Sequence, residues 1–251
     1  MKTVIARIAL LAAALCVVGV GSARAELTAE PVLGFAGTQT VTANQPAGKA
    51  QPQNGIAVQT VVYDNTASAA NFGFSSTDLT ALFGDRLLTT SPGLLSEQTF
   101  GVYNSSSSAG TLLTAVVGIY IYDTATSTLL GSYTVNATFG TGLPPGYYSL
   151  LTVTNLDPLN ILIPVTDIIV IQTINSFTGT PTRLGIVSLD PPTVGASPTS
   201  MYIQASTVNG GVAGFYTVAA GPANPAYQLT LATETVGVAP TTWGTLKGLY
   251  R

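Results

Sequence analysis

Short apolar segments that alternate with polar positions recur along most of the chain, and turn residues separate them. "IAVQTVVYDN" at 56–65 alternates around β-branched residues and stops at Asp-Asn. About ten such segments follow one another between residues 56 and 236, each bounded by Gly, Pro, Asn or Asp. Short strands at this spacing are typical of a sandwich. The pattern predicts an all-β, antiparallel, jelly-roll-like β-sandwich, with a partly closed barrel as the alternative.

Local turn chemistry predicts some of the connections. "VVGIYIYDTATSTLLGSYTV" places two strand-like runs around a polar loop at 123–127, which indicates an antiparallel hairpin. "LPPGYY" at 143–148 predicts a tight turn, because Pro145 presets φ and Gly146 accepts a positive φ. "SSTDLTALF" at 75–83 carries the one helical signal, about two turns behind a Ser/Thr cap.

Composition divides the chain into four parts. Residues 1–25 combine a charged start, an apolar run and the small-x-small site Ala-Arg-Ala, which predicts a cleaved signal peptide and export. Residues 26–55 are rich in Gln, Pro, Ala and Gly, which predicts a flexible leader, with a loosely attached edge segment as the alternative. The sandwich domain is expected over 56–236, and 237–251 form a separate C-terminal tail.

The tail ends in "PTTWGTLKGLYR". Trp243, Leu246 and Tyr250 follow one another at helical spacing. Lys247 and Arg251 come at the C-terminal end, where the helix dipole favours cations. These features predict a short amphipathic segment that serves as a sorting or docking signal, and packing of Trp243 and Leu246 on the sandwich is the alternative.

Charge and cysteine content narrow the function classes. Charged residues make up 8% of the chain, against about 25% in an average soluble domain. Without 1–25 the chain keeps five cations, eleven anions and no cysteine, so no disulfide is expected. The anionic balance argues against nucleic-acid binding. No second apolar run is long enough to span a membrane.

Enzymatic chemistry has few residues to draw on. The chain has no histidine and no cysteine beyond the signal peptide, which excludes Ser-His-Asp and Cys-His catalysis and the usual zinc sites. A glycosidase-like carboxylate pair remains conceivable, drawn from Asp64, Asp78, Asp85, Glu97, Asp123, Asp157, Asp167, Asp190 and Glu234. Nearly all of these follow predicted strands, where Asp caps turns. We therefore expect no catalytic activity and no required cofactor.

Calcium is the one metal that the pattern suggests, because jelly-roll sandwiches can hold a hard cation at their strand ends. "DNT" at 64–66 and "GDR" at 84–86 supply suitable oxygen ligands, although ordinary Asx-turns explain them as well. Asp64 and Glu234 lie near the first and last predicted strands. Because domain termini often lie close together, this pair is the first candidate for a calcium site.

Aromatic residues suggest a binding surface, since exposed rings stack on sugars. Five tyrosines outside the most apolar strands are candidates for such a platform: Tyr147, Tyr148, Tyr202, Tyr216 and Tyr227. Core packing is the competing interpretation, because tyrosine in strands often serves the core or its rim.

Several segments in their order along the chain carry a resemblance to a known family. "VVYDN", "GDRLLTT", "LPPGYYSLLTV", "GTPTRLGIVSLDPPTVGASPTSMYI" and "NPAYQLTL" resemble the secreted bacterial β-sandwich exoproteins of the choice-of-anchor and PEP-CTERM type. The likeness covers about 56–231 and implies export and residence at the cell surface or in the matrix. The tail departs from the PEP-CTERM pattern, since it lacks Pro-Glu-Pro, a spanning helix and an arginine cluster; it looks like the short endings of other exported proteins.

These features together predict a secreted, non-catalytic protein of the cell surface or extracellular matrix with a structural or interaction role. Its partners would be surface or matrix polysaccharide, other surface proteins and, through the tail, sorting machinery. The alternative is a carbohydrate-binding jelly-roll module in which a bound calcium ion could assist ligand binding. A glycan-active hydrolase or lyase that uses carboxylates and tyrosine is the third and most distant interpretation.

Overall fold

A computed structural model describes residues 28–44, 58–105, 110–206, 211–217 and 223–233, and these form two β-sheets packed as a sandwich. The strands are β1 Thr28–Glu30, β2 Gly34–Val41, β3 Val58–Asp64, β4 Ala70–Ser76, β5 Leu82–Leu88, β6 Gly93–Asn104, β7 Leu112–Asp123, β8 Leu129–Leu143, β9 Tyr147–Val153, β10 Leu162–Ile163, β11 Asp167–Gly179, β12 Leu184–Leu189, β13 Ser200–Gln204, β14 Gly214–Thr217 and β15 Tyr227–Thr233. One short 3₁₀ helix spans Asp157–Leu159. The predicted all-β sandwich is confirmed, with more strands than the ten segments indicated.

The first sheet has nine strands and is organised around β6. Its main path runs β1-β4-β12-β6-β15-β3, while β9 and β10 also pair with β6 and β2 lies beside β9. The second sheet has six strands in the order β14-β13-β5-β11-β7-β8. All pairs are antiparallel except β2 with β9. The parallel pair brings the N-terminal part of the chain to the edge next to β9.

The main core lies between the two sheets, where alternate strand residues face inward. Phe100 and Leu151 from the first sheet and Val117 and Val170 from the second are fully buried in one cluster. Full burial of such side chains stabilises a fold by about 1.5–3 kcal/mol each. Packing of this kind can hold the sandwich together without a disulfide.

Both connections predicted from turn chemistry are present. β7 and β8 form the expected antiparallel hairpin. In the β8–β9 turn, Tyr147 N donates to Pro144 O at 3.3 Å, and Gly146 has φ of 80°. A positive φ at this position is the requirement of a type II turn, which glycine meets without strain.

The predicted helix at 75–83 is wrong. β4 continues to Ser76 and β5 begins at Leu82, with a turn between them. Asp78 holds this turn, because its Oδ1 accepts from Thr80 N at 3.2 Å and from Thr80 Oγ1 at 2.9 Å. Asp and Ser side chains that bond nearby backbone compete with helical hydrogen bonds.

Where the structure describes the segment 26–55, it forms strands at the sheet edges, in line with the edge-segment alternative. β1 pairs with β4, and β2 runs parallel to β9. The segment is poor in large apolar residues, but pairing with β4 and β9 supplies backbone hydrogen bonds on one side of each strand. The rest of the leader, the signal peptide at 1–25 and the tail at 237–251 lie outside the described residues. Within the described ranges, no helix is long and apolar enough to cross a membrane.

Candidate functional site

Two of the five candidate tyrosines are buried, so the predicted binding platform is wrong for them. Tyr202 is 3% exposed and packs edge-on against Phe215, with ring centroids 5.7 Å apart. Tyr227 is 0% exposed and belongs to the main core. Both lie in strands whose inward and outward faces are covered, which leaves no ring face for a sugar.

The remaining three tyrosines do not share a surface. Tyr147 packs against the main core between the sheets, whereas Tyr148 packs with a separate cluster, as strand alternation requires. The Tyr148 ring lies 5.0 Å from that of Phe35, which is 49% exposed. Tyr216 is on β14 in the second sheet, where its hydroxyl donates to Val212 O at 2.7 Å. Tyr147 borders a cleft.

This cleft, which we call the Tyr147 cleft, has a volume of about 300 Å³. It lies between β2, the end of β8 and the β8–β9 turn, and its wall consists of Ala36, Gln39, Phe139, Thr141, Gly142, Leu143, Pro144 and Tyr147. The wall combines one phenol, one phenyl ring, one amide and one hydroxyl with no charged side chain. Such a lining suits a neutral ligand with an apolar face and hydroxyl groups.

Two glycines place the Tyr147 ring at the cleft. A Cβ on Gly34 would lie 2.5 Å from Tyr147 Cε1, so the ring rests directly on the β2 backbone. Gly146 makes the preceding turn, which begins the strand at Tyr147. The side chains of Gln39 and Thr141 make no hydrogen bond to any part of the chain that the structure describes. Their polar groups can therefore bond a ligand.

The proposed calcium pair gains no support. Asp64 Oδ1 accepts from Thr66 N at 2.7 Å, and Asp64 Oδ2 accepts from Gln228 Nε2 at 3.0 Å. The Thr66 contact is the Asx-turn that the sequence offered as the alternative. Asp64 pairs with Gln228, whereas Thr233 pairs with Val58 at the opposite end of the β3–β15 ladder. Glu234 lies outside the described residues, among which no three His, Cys, Asp or Glu side chains form a metal-binding group.

One carboxylate departs from the expectation that acids lie at strand ends. Asp85 is in the interior of β5, is 0% exposed and faces inward between Phe83 and Leu87. Its Oδ2 lies 2.6 Å from Ser197 Oγ, which is 3.1 Å from Asn224 Oδ1. The Asn224 amide nitrogen in turn donates to Asp190 Oδ1. We call these four residues the Asp85 cluster.

Burial raises the pKa of Asp85 well above its ordinary value, and the nearby Asp190 carboxylate raises it further. Hydrogen bonds from Ser197 Oγ and Arg86 N act in the opposite direction but do not outweigh burial. Sequence analysis listed Asp85 among the candidate acids and in the possible calcium segment "GDR", but it did not predict that this residue lies inside a strand. The alternation Phe83, Asp85, Leu87 was the available signal, since it places the carboxylate on the apolar face.

Other carboxylates serve the fold directly. Arg86 pairs with Asp167 on the outer face, where their side chains are 43% and 36% exposed. The Arg86 guanidinium, which bonds the Asp167 carboxylate, lowers the pKa of that group. Asp123 caps the β7–β8 loop by accepting from Ala125 N at 2.7 Å. None of these acids borders the Tyr147 cleft.

The tail prediction stays a prediction, because Trp243, Leu246, Lys247, Tyr250 and Arg251 all lie outside the described residues.

Comparison with known proteins identifies no family. No protein-family model and no curated protein matches the chain. Two solved structures give a weak match: the VP2 subviral particle of infectious bursal disease virus, at 11% identity and TM-score 0.20, and the Gx strain of that virus, at 13% identity and TM-score 0.20. Each match covers 78% of this chain and 46% of the viral chain. The chain thus spans less than half of either viral chain, and similarity at this level carries no argument about function.

Proposed function

We propose that this chain is an exported, non-catalytic protein of the cell surface or extracellular matrix, with a structural or interaction role. The distribution of charge carries the proposal. In the described residues the cations are Arg86 and Arg183, and both bond the fold itself, Arg86 with Asp167 and Arg183 with Ser75. Carboxylates such as Asp64, Asp78, Asp85 and Asp123 likewise hold turns or buried groups.

This use of charge supports an interaction role over a catalytic one. General acid–base work needs a positioned titratable group within hydrogen-bond reach of a substrate. The Tyr147 cleft offers only neutral side chains. A neutral cleft on a weakly charged surface is suited to binding, and the predicted signal peptide supports a role outside the cytoplasm.

Retention on the producing cells tests the proposal. Purified chain 26–251 would be mixed with cells and with isolated matrix, and the bound fraction measured against protein concentration. We expect saturable retention on one of the two, with no release of sugar or peptide products. A protein that stays in solution with both fractions, or that degrades either, contradicts the proposal.

The tail can be tested in the same assay. Chains 1–251 and 1–236, both with the predicted signal peptide, would be expressed side by side, with Trp243→Ala in the full chain as the matched point variant. If the tail sorts or docks the protein, the shorter chain and the variant move from the cells to the medium. Identical partitioning of all three would remove the tail from the proposal and leave packing on the sandwich as its role.

A second candidate function is carbohydrate binding at the Tyr147 cleft. The observation that favours it is a half-buried phenol beside the unbonded amide of Gln39 and hydroxyl of Thr141. Sugar recognition commonly combines an aromatic ring against the apolar face of a pyranose with amides and hydroxyls around its rim. The uncharged wall and the anionic surface favour a neutral polysaccharide over an acidic one.

Pull-down on immobilised polysaccharides tests this candidate, with calcium and then with chelator. We expect saturable binding to a neutral polymer and a loss of at least about tenfold with Tyr147→Ala, because a stacked aromatic contact contributes about 1 kcal/mol beyond its burial. Tyr216→Ala is the matched control on the other sheet. Equal losses from both variants, or no binding by the folded wild type, would exclude the cleft.

A further inference from the structure

The Asp85 cluster joins the two sheets to the segment 190–199, which connects β12 to β13. Backbone bonds attach this segment at two points: Thr193 N donates to Asp64 O at 2.7 Å, and Leu88 N donates to Ala196 O at 2.8 Å. Ser197 is the side chain through which the segment touches Asp85. The segment thus closes one side of the sandwich over a buried carboxyl group.

Hydrogen bonding in the cluster has a shortage of donors if Asp85 is ionised. The Ser197 hydroxyl has one hydrogen, yet its oxygen lies within 3.1 Å of three acceptors: Asp85 Oδ2, Asn224 Oδ1 and Pro198 O. With a carboxylate at Asp85, Ser197 donates to it, and no other member of the cluster can donate to Asn224 Oδ1. The Tyr63 hydroxyl, which also interacts with Ser197, lies outside the cluster. With a neutral acid, Asp85 donates to Ser197, Ser197 donates to Asn224, and the Asn224 amide donates to Asp190.

Among the residues that the structure describes, none supplies a compensating positive charge to Asp85. Arg86 follows Asp85 directly, but its guanidinium lies on the outer face with Asp167. The titratable groups that face Asp85 are Tyr63 from β3, Tyr227 from β15 and Asp190 from the segment. Two neutral phenols and a carboxylate cannot offset a buried negative charge.

From this geometry we propose that Asp85 is held as a neutral carboxylic acid and acts as a pH-sensitive latch that fastens the segment 190–199 to the sandwich. Protonated Asp85 starts the chain of donors that links Ser197, Asn224 and Asp190. Loss of that proton leaves a buried charge and breaks the chain at Ser197, so that the segment loosens and admits water.

The sign of the pH effect follows from the raised pKa of Asp85. The folded state retains its proton at pH values where the unfolded chain, with an ordinary carboxyl pKa of about 3.9, has lost it. Stability due to Asp85 is therefore highest at the acidic end of this window and falls as pH rises toward the folded-state pKa. Within the window the folding equilibrium constant changes by up to about tenfold per pH unit.

Urea unfolding across pH tests the latch on chain 26–251. Asp85→Asn keeps a donor toward Ser197 and cannot ionise, so we expect it to lack the decline that wild type shows with rising pH. Hydrogen exchange at Val194 and Ala196 should accelerate with pH in wild type and not in the variant. Asp167→Asn is the control with the opposite sign, because the lowered pKa of Asp167 stabilises the fold at higher pH.

A spectroscopic measurement covers the case in which Asp85→Asn does not fold. Infrared spectra of wild type should retain the band of one protonated carboxyl group after the exposed acids have ionised, and Ser197→Ala should shift that band. The absence of the band overturns the proposal, as does an unchanged pH profile in Asp85→Asn. Calcium that raises the unfolding midpoint of wild type but not of Asp85→Asn also overturns it, since a cation would then occupy the cluster.

Discussion

The Asp85 cluster and the Tyr147 cleft use similar polar groups in opposite ways. In the cluster, Asp85 and Asn224 are buried, and the side chain of each bonds another member. In the cleft, the amide of Gln39 and the hydroxyl of Thr141 have no partner within the described residues. Polar groups that satisfy one another hold a fold together, whereas unpaired polar groups beside an open cleft are available to a ligand. Substitutions should therefore alter stability at the first site and binding at the second.

The largest expected effect is at Asn65, which directly follows β3 and donates from Nδ2 to the backbone O of Asn224 at 3.3 Å. Its Nδ2 donates to Pro225 O at 2.9 Å and its Oδ1 accepts from Tyr227 N at 2.8 Å, all in the interior. Asn65→Ala leaves these buried backbone groups unpaired, which should lower the free energy of unfolding by about 3 kcal/mol. Urea unfolding measures it, with the exposed Asn136→Ala as control. Equal, small losses of unfolding free energy in Asn65→Ala and Asn136→Ala would show that the buried hydrogen bonds of Asn65 do not stabilise the fold.

A smaller effect is expected at the cleft from Gly34→Ala. The added methyl group would collide with the Tyr147 ring and displace it, without removing a polar or aromatic group. If the ring position matters, affinity for a bound polysaccharide falls by about tenfold, equivalent to about 1.4 kcal/mol. The positive φ of 119° at Gly37 makes that residue unsuitable as control, so Gly214→Ala on the other sheet serves instead, because a Cβ there would lie 3.7 Å from its nearest neighbour. Unchanged affinity in Gly34→Ala would show that polysaccharide binding does not depend on the position of the Tyr147 ring.

Two buried tyrosines test whether a hydrogen-bonded polar group stabilises the fold more than an unbonded one. Tyr133 donates its hydroxyl to Gln98 Oε1 at 2.9 Å, whereas the Tyr227 hydroxyl has no partner within the described residues. Tyr133→Phe should lower the free energy of unfolding by about 1 kcal/mol, and Tyr227→Phe should leave it nearly unchanged. Thermal and urea unfolding of the pair measure the difference. A larger loss from Tyr227→Phe than from Tyr133→Phe would reverse this assignment.

The smallest effect is expected from the exposed ion pair. Asp167→Asn should lower the free energy of unfolding by less than about 0.5 kcal/mol at neutral pH, because water screens both partners. The lowered pKa of Asp167 means that this stabilisation is present at neutral pH and lost as pH falls below about 3.9. Unfolding at low and high salt checks the effect. A loss comparable to that of Asn65→Ala would show that the pair belongs with the buried sites.

Prediction from sequence succeeded where local signals were sufficient. The hairpin of β7 and β8 and the turn at Gly146 follow from alternation and from turn residues within a few positions of one another. It failed for β4 and β5, in which Gly, Ser, Asp and Arg interrupt the apolar pattern. Strand propensity is a weak guide where neighbouring strands decide burial. The missed strand β5 carries Asp85, the buried carboxyl group on which the proposed latch depends.

The five candidate tyrosines show the same limit. Their residue type suggested a shared surface, but a strand alternates its side chains, so Tyr147 and Tyr148 face different clusters. Tyr227 became part of the core because β15 lies between β6 and β3. Strand order decides which tyrosine borders a cleft, and strand order cannot be predicted from the spacing of residues within one segment.

The sequence by itself determined the all-β class, the hairpin and the tight turn, because periodicity and turn chemistry act over a few residues. Tertiary structure alone decided the two sites. The Tyr147 cleft requires β2 to lie beside β9, and the Asp85 cluster requires Asp85 to meet Ser197 and Asn224 from distant parts of the chain. Such contacts arise from packing of the two sheets, in which a polar residue is placed by its neighbours in space and not by its neighbours in sequence.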